Sequence, residues 1–353
     1  MSYRELLSKD SYWMRDEEIP IVLSTRIRLA RNLTDSTFPQ DVNEEEALRI
    51  EEKITAILAD YILEGERLHY LALNKLTDIE KRVLIEKHLI SPGFPELGVA
   101  RGVAVSESHK VSIMVNEEDH LRIQVLLPGN NLWEALRLAG MIDDYLEERL
   151  DIAYKDKFGY LTSCPTNVGT GLRVSVMVHL PALVRTNQVQ KVLGALAPLG
   201  LAVRGLYGEG SRAFGNIFQV SNQITLGKSE EDTLTHLEAV IRQLVEHELQ
   251  AREVLKIEAP LITQDKLWRA RGVLENARLL TSDETFTLLS EDRLGIDMGI
   301  LPKANAGFVS LLVNSLQGCL QYKISRPLDG HFVNFERANF LRQVYASAST
   351  HQT

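Results

Sequence analysis

The chain is poor in cysteine: Cys164 and Cys319 are the only two among 353 residues. A disulfide framework is therefore not expected, and the pair fits a reducing compartment. There is no CxxC and no HxxEH-like pair, which argues against a structural zinc site. No apolar run approaches membrane-spanning length, and the opening Met-Ser-Tyr-Arg-Glu-Leu-Leu lacks a secretory apolar core, so a cytoplasmic location is expected. GxxxxGK[ST] is missing, as are the HRD and DFG sets, which removes the P-loop and eukaryotic-type nucleotide architectures. Basic residues are outnumbered, 39 Lys and Arg against 48 Asp and Glu, and the net charge of −9 argues against general nucleic-acid binding. That balance is compatible with arginines gathered in one place for an anionic ligand.

What is present describes an ordinary globular chain. Hydrophobic residues make up 44% and charged residues 25%, enough for a large domain and a smaller one. The organising stretch is 159–173, which sets Cys164 beside a proline, follows it with a Thr/Asn/Gly-rich loop and ends on Arg173 at a strand start. Glycines 169 and 171 allow backbone N–H groups to approach an anion, or mark a turn beside a buried thiol. From Arg173 through Val174, Ser175, Val176 and Met177 the apolar residues alternate as in a strand.

Residues 21–32 also read as a strand, with Ser24, Arg26 and Arg28 on one face and Ile27 and Leu29 on the other. Paired arginines on one face mark either a solvated edge or a site with something negative above it. A helix is expected over 43–60, capped by Asn43, and another from the Thr77/Glu80 capping box to about His88, which is either a dipole partner or a ligand. A hairpin joins 102–106 to 111–115, and Asn116-Glu117-Glu118-Asp119-His120-Leu121-Arg122 leads into the strand 123–127. Three acids there are costly if buried, and a solvated turn is the plain alternative. A helix follows over 131–150, then one at about 187–197 and a strand at 201–205. Next comes a loop with three glycines that carries Glu209, either a solvated tip or a carboxylate delivered by a closing lid. Ser229 caps a long helix to about Glu253, beyond which only helices are expected. Their apolar stripe, Phe308, Leu311, Leu312, Leu316 and Leu320, serves packing or a homodimer.

Five arginines (26, 28, 122, 173, 204) and two carboxylate sites suit a polyphosphate donor and a guanidinium acceptor. Ser24-Thr25-Arg26-Ile27-Arg28, the Asn116–Arg122 run, Cys164-Pro165-Thr166-Asn167 with Arg173, and Val203-Arg204-Gly205 with Gly208-Glu209 resemble, in order, the motifs of the phosphagen kinase family of creatine and arginine kinases. The short N-terminal part and helical C-terminal region resemble the bacterial protein-arginine kinases within it. The resemblance implies an α+β fold: a catalytic domain over residues 1–255, an antiparallel sheet flanked by helices, followed by a smaller all-helical domain over 256–353. It implies ATP, with Mg held through phosphates and water rather than by protein ligands. Nucleotide contacts carry over to Ser24, Thr25, Arg26, Ile27, Arg28, His88, Arg122, Arg173, Val174, Ser175, Val176, Met177, Arg204, Gly205, Leu206, Tyr207, Gly208 and Glu209. Glu118 and Glu209 would clamp the acceptor, one of them as base, with Cys164 beside it as a thiolate and Arg173 on the transferring group.

The metabolite kinases' helical N-terminal domain finds no counterpart before the Ser24 strand, so the acceptor site is expected to admit a protein side chain. By the same resemblance the products would be marked for a Clp ATPase/protease. A stress-response repressor of the CtsR type would be a substrate, and a zinc-binding activator of the McsA type a partner. The branch's Arg-Asp-x-x-Arg-Ala motif, linked to phosphoarginine sensing, reads Val333-Asn334-Phe335-Glu336-Arg337-Ala338 here, leaving Arg337 as the carried-over phosphoarginine contact. Free-arginine kinase and non-catalytic phosphoarginine adaptor are the competing readings.

Overall fold

The computed structural model describes residues 3–15, 21–96, 98, 100–205 and 214–349. Among them the strands are β1 (Val22–Arg31), β2 (Ile62–Leu63), β3 (Glu66–Ala72), β4 (Gly102–Ser106), β5 (Val111–Val115), β6 (Leu121–Pro128), β7 (Tyr154–Lys155), β8 (Gly159–Tyr160), β9 (Leu172–His179), β10 (Leu201–Gly205) and β11 (Ile217–Asn222). Nine form one sheet in the order β10-β11-β9-β1-β6-β5-β4-β3-β2, and β7 pairs with β8. From β1 outward to β2 every pairing is antiparallel. The helices are α1 (Tyr3–Ser8), α2 (Glu44–Ala59), α3 (Asp78–Glu86), α4 (Leu132–Glu147), α5 (Pro181–Arg185), α6 (Val189–Gly194), α7 (Glu230–Glu258), α8 (Pro260–Asn276), α9 (Ser282–Asp297), α10 (Phe308–Asn314), α11 (Gln317–Ile324) and α12 (Gly330–Ser349). None of these is long and apolar enough to cross a membrane.

Two compact units divide the chain. The first comprises Met1–Trp13, Ser24–Ser175 and Ser221–Glu238; the second comprises Met14–Leu23, Val176–Val220 and Ala239–Thr353. Helix α7 runs past the expected end at Glu253, so the division at Glu238 and the domain boundary expected at 255/256 both lie within it.

In the first unit, α4 lays Leu132, Ala135, Leu138, Ala139, Ile142 and Leu146 against the sheet beside β6. Ile27 and Leu29 of β1 are fully buried. Arg31 also leaves the face of Arg26 and Arg28: it grips Asp143 of α4 at 2.6 Å and donates to the carbonyls of Ala30 and Thr170. Its guanidinium stacks 3.4 Å above the Tyr160 ring. With every direction filled, Arg31 is a structural cation. The expected caps form: Asn43 accepts from Glu46 N–H at the head of α2, and Thr77 and Glu80 exchange both bonds of the capping box.

Of the two readings of the 159–173 glycines, the structure favours the turn: Gly169 and Gly171 serve close backbone packing. Gly169 (φ +116) lies so close to Thr225 that a Cβ would stand 2.3 Å from its carbonyl oxygen. Gly169 N–H donates to Tyr160 O and Thr170 N–H to Thr225 O. These donors are consumed inside the protein.

In the second unit the helix expected at about 187–197 is the shorter α6; α5 precedes it, and the two are separated where Asn187 adopts φ 58, a conformation Asn tolerates better than most residues. Glu248 of α7 accepts from Ala182 and Leu183 N–H at the start of α5 and pairs with Arg252, which also reaches Asp297. Phe308, Leu311, Leu312 and Leu320 are buried within the chain. Of packing and a homodimer, the two uses left open for this stripe, packing holds for these four residues, which belong to this unit's own core.

Gly171 (φ +66) yields the sharpest test of the loop, because a Cβ there would meet Arg31 Nη1 at 2.5 Å and Ala30 O at 2.7 Å. Gly171→Ala is expected to destabilise the protein by about 2–4 kcal/mol in urea unfolding, through left-handed strain and displacement of Arg31.

Candidate active site

The register of β1 on β6 sets Arg28 opposite Gln124 and Ala30 opposite Arg122. Directly opposed residues share a sheet face, so Arg26, Arg28, Arg122 and Gln124 stand together. Arg26 Nε lies 3.4 Å from Ser175 Oγ, which adds the β9 positions Arg173 and Ser175 to that face. Burial pushes the pKa of Arg28 well below its ordinary value, and the charges of Arg26, Arg122 and Arg173 push it further; Glu117 alone opposes them. Arg28 Nε is buried with no hydrogen-bond partner. Like charges held together around an orphan donor cost free energy until an anion arrives.

Arg173 is held rigidly. Its Nε donates to Asn167 Oδ1 (3.1 Å), Nη1 to Asn222 O (2.8 Å) and Nη2 to Thr166 Oγ1 (3.0 Å). Thr166 Oγ1 is 3.1 Å from Cys164 Sγ, so the arginine and the half-buried thiol share one anchor.

The turn between β5 and β6 sorts the acidic run. Asn116, at φ 57, closes it with N–H to His120 O and ties it down through Nδ2 to Ala47 O and Ala100 O. Glu117 is buried and pairs with Arg122 at 2.5 Å; burial raises its pKa, but Arg122 and hydrogen bonds from Glu118 N–H and Ser91 outweigh that and hold it below the usual carboxylate value. Asp119 accepts from Asn32 Nδ2 (2.6 Å) and from Ser163 N–H (2.7 Å), pinning the turn to the cysteine loop. His120 Nδ1 accepts from Leu33 N–H and Nε2 faces Thr37 O at 3.0 Å, so the neutral Nε2–H tautomer fits. Glu118 is the acid left half-buried without such a tie. Burial raises its pKa, with Asp119 and Glu117 adding to the rise and Arg122 and Arg173 pulling against it.

His88 ends the α3 turn at φ 59, and Gln124 Nε2 donates to its carbonyl at 2.7 Å. Burial, aided by the charge of Arg26, pushes its pKa down to about 3, so the ring is neutral near pH 7. The remaining candidates divide. Ser24 and Thr25 are buried, and Thr25 Oγ1 bonds Gly129 O. Ile27, Val174 and Val176 are fully buried, and strand alternation turns them away from the arginine face. Met177 is also buried. Arg204 and Gly205 end β10 in the second unit. Leu206, Tyr207, Gly208 and Glu209 lie outside the described residues. Arg337 is 2% exposed and donates to Ser315 O, Leu280 O and Asn334 Oδ1, so it braces helices of the second unit in this pose.

Sequence reading missed several supporting groups. Arg101 donates to Glu117 O at 3.2 Å. Asn32, Asn167 and Asn222 hold the turn and Arg173, and Gln124 bridges His88 O and Ser112 Oγ. Two of these left a signal: Gln124, by its alternation with Arg122, and Asn167, by its place in the motif with Arg173.

A family model described as ATP:guanido phosphotransferase, C-terminal catalytic domain, matches residues 49–251, and one described as Protein-arginine kinase McsB C-terminal domain matches 260–353. The protein-arginine kinase of Symbiobacterium thermophilum is 46% identical over 348 residues, covering 97% of this chain and 99% of that one. The protein-arginine kinase of Bacillus subtilis is 46% identical over 337 residues, 94% of this chain and 93% of that one. Among solved structures, a lombricine kinase superposes with a TM-score of 0.59 at 28% identity, covering 70% of this chain and 71% of that one. A duplicated taurocyamine kinase from Schistosoma mansoni gives 0.60 at 26%, covering 71% of this chain and 37% of that one. With its guanidinium-lined sheet face, near-full-length relatives and matching models, the chain belongs to the ATP:guanido phosphotransferase family, in the branch of the protein-arginine kinases.

Proposed function

We propose that the chain is an ATP-dependent protein-arginine kinase, which moves the γ-phosphoryl group of MgATP to arginine guanidinium groups in proteins. The observation that carries this reading is the set Arg26, Arg28, Arg122 and Arg173 on one sheet face, with Glu118 left available at the turn beside Arg122. Guanidinium groups suit phosphate oxygens, and a carboxylate suits a guanidinium acceptor. Among the described residues no cluster of three His, Cys, Asp or Glu forms a metal cage. Mg2+ would be carried by the nucleotide phosphates and, when bound, would neutralise charge between them.

In the proposed step an acceptor nitrogen attacks γ-phosphorus. The P–N bond forms as the P–O bond to the β-phosphate breaks, the displaced nitrogen proton passes to Glu118, and ADP leaves. The four arginines align the phosphates and stabilise the charge that develops on transfer. The raised pKa of Glu118 makes it a better proton acceptor than an ordinary carboxylate. Glu209 is proposed as the second clamp, Arg204 as a further phosphate contact, and Cys164 as a neighbour of the acceptor. The link of Cys164 through Thr166 to Arg173 supports that last role.

Clp-dependent turnover of the products, a CtsR-type repressor as substrate and a zinc-binding activator are proposed on the family resemblance. A homodimer is proposed on exposed Ile257, Leu261 and Ile262 around the α7–α8 junction. The competing reading, a small-guanidine kinase, is favoured by the taurocyamine and lombricine kinases among similar structures.

The test is mass spectrometry under non-acidic handling after incubation with MgATP and either an unfolded arginine-bearing protein or free arginine. Phosphate on protein arginine but not on free arginine is expected; the reverse would make it a metabolite kinase, and no transfer even with an activator would leave only an adaptor. Glu118→Gln should lower kcat by about 10²–10⁴-fold with MgATP binding retained. The wild-type rate should fall as pH drops through the raised Glu118 pKa, because the base must be ionised. Unchanged turnover in Glu118→Gln would remove the assignment.

A further inference from the structure

The N-terminal segment is absorbed by neither the fold motifs nor the proposed chemistry, yet it is locked to the residue pair Lys87-His88. Trp13 is 1% exposed, and its Nε1–H donates to the carbonyl of Lys87 at 3.1 Å. Its ring meets His88 edge to face, with centroids 5.1 Å apart and planes at 73°. The contact is reciprocated. Lys87 is 2% exposed, and its ammonium donates to the carbonyl of Leu7 at 2.6 Å and to that of Lys9, around the C-terminal end of α1. A buried ammonium is costly unless its hydrogen bonds are met, so this lysine holds only if the segment stays docked.

The same segment is fastened at further points. Tyr12 N–H donates to Ser108 O at 2.9 Å, Ser11 Oγ lies 3.0 Å from His109 Nδ1, and Lys110 sits over the Tyr12 ring. His88 needs such support. It occupies φ 59, which a residue with a Cβ enters at a cost and leaves when its surroundings loosen. Gln124 holds the carbonyl of His88 from the arginine face. Trp13 holds the preceding carbonyl and the ring from the other direction.

We propose that Trp13 and Lys87 clasp the N-terminal segment to the α3 turn and thereby position His88 for the nucleotide, so that the segment is a working part of the ATP site. The proposal rests on the reading of His88 as a nucleotide contact. Trp13 is a positioning residue that acts through His88 alone. A general loss of stability would instead weaken binding whether or not His88 is present.

The experiment is a double-mutant cycle read by calorimetric titration of the full chain with MgATP. Trp13→Ala and His88→Ala should each weaken binding, by about five- to tenfold. The double variant should bind no more weakly than His88→Ala. Multiplying losses in the double variant would show that Trp13 acts elsewhere and would overturn the proposal. Wild-type affinity in Trp13→Ala, with His88→Ala impaired, would also overturn it. Wild-type affinity in His88→Ala would instead refute the nucleotide role of His88, and the clasp as a device for it. If Trp13→Ala does not fold, Trp13→Phe takes its place in the cycle. It keeps an aromatic ring and loses the donor to Lys87 O, and its loss of affinity must likewise vanish in the His88→Ala background.

Discussion

Mutual repulsion among Arg26, Arg28, Arg122 and Arg173 is the constraint on which the rest of the first unit depends. Four guanidinium groups can share a sheet face only if each is fixed from below and at least one acid stands nearby. Glu117 supplies the acid, buried against Arg122. Ser175, Asn167, Asn222 and Thr166 supply fixed oxygen acceptors. The fixation is incomplete at Arg28, whose charge is opposed by its neighbours and whose Nε lacks a partner. A site arranged in this way is least comfortable when empty. That discomfort is free energy on which the proposed polyphosphate would draw.

The proposed acceptor side follows from the same economy of partners. Asn116 through Nδ2, with Glu117, Asp119 and His120, bonds the turn itself or Ala47, Ala100, Arg122, Asn32, Ser163 and Leu33. Glu118 is held in place by its neighbours' bonds. Partial burial raises its proton affinity while Arg122 and Arg173 keep the rise in check. A base for a guanidinium needs both influences. Too much burial would leave it protonated, and too much positive charge would weaken it as an acceptor.

Strand faces and helix caps were legible because they depend on local spacing. Period-2 alternation separated Arg26 and Arg28 from Ile27 and Leu29, and the Thr77/Glu80 spacing fixed the start of α3. The hairpin β4–β5 likewise begins and ends where its apolar runs do. The choice of Glu118 over Glu117 and Asp119 came from the family resemblance and not from local spacing, because it is made by Arg122 together with Asn32 and Ser163, the latter two remote in sequence. Strand β3, next to the two-residue edge strand β2, escaped notice because its burial hardly alternates. The two readings of Gly169 and Gly171 stayed open because Thr225, Ala30 and Arg31, which crowd them, cannot be inferred from the loop itself. The 308–320 stripe carried no sign of whether its partner was the same chain or another.

The central claim is that the arginine face is built for an anion at the expense of the empty protein's stability. The most direct measurement is the melting temperature of wild type and Arg28→Met, each with and without MgATP. The account predicts that Arg28→Met melts higher than wild type when empty, because one of four repelling charges is gone and the aliphatic stem remains, and that MgATP raises its melting temperature far less than it raises the wild type's. An empty variant less stable than wild type, or one stabilised by MgATP as strongly, would contradict it.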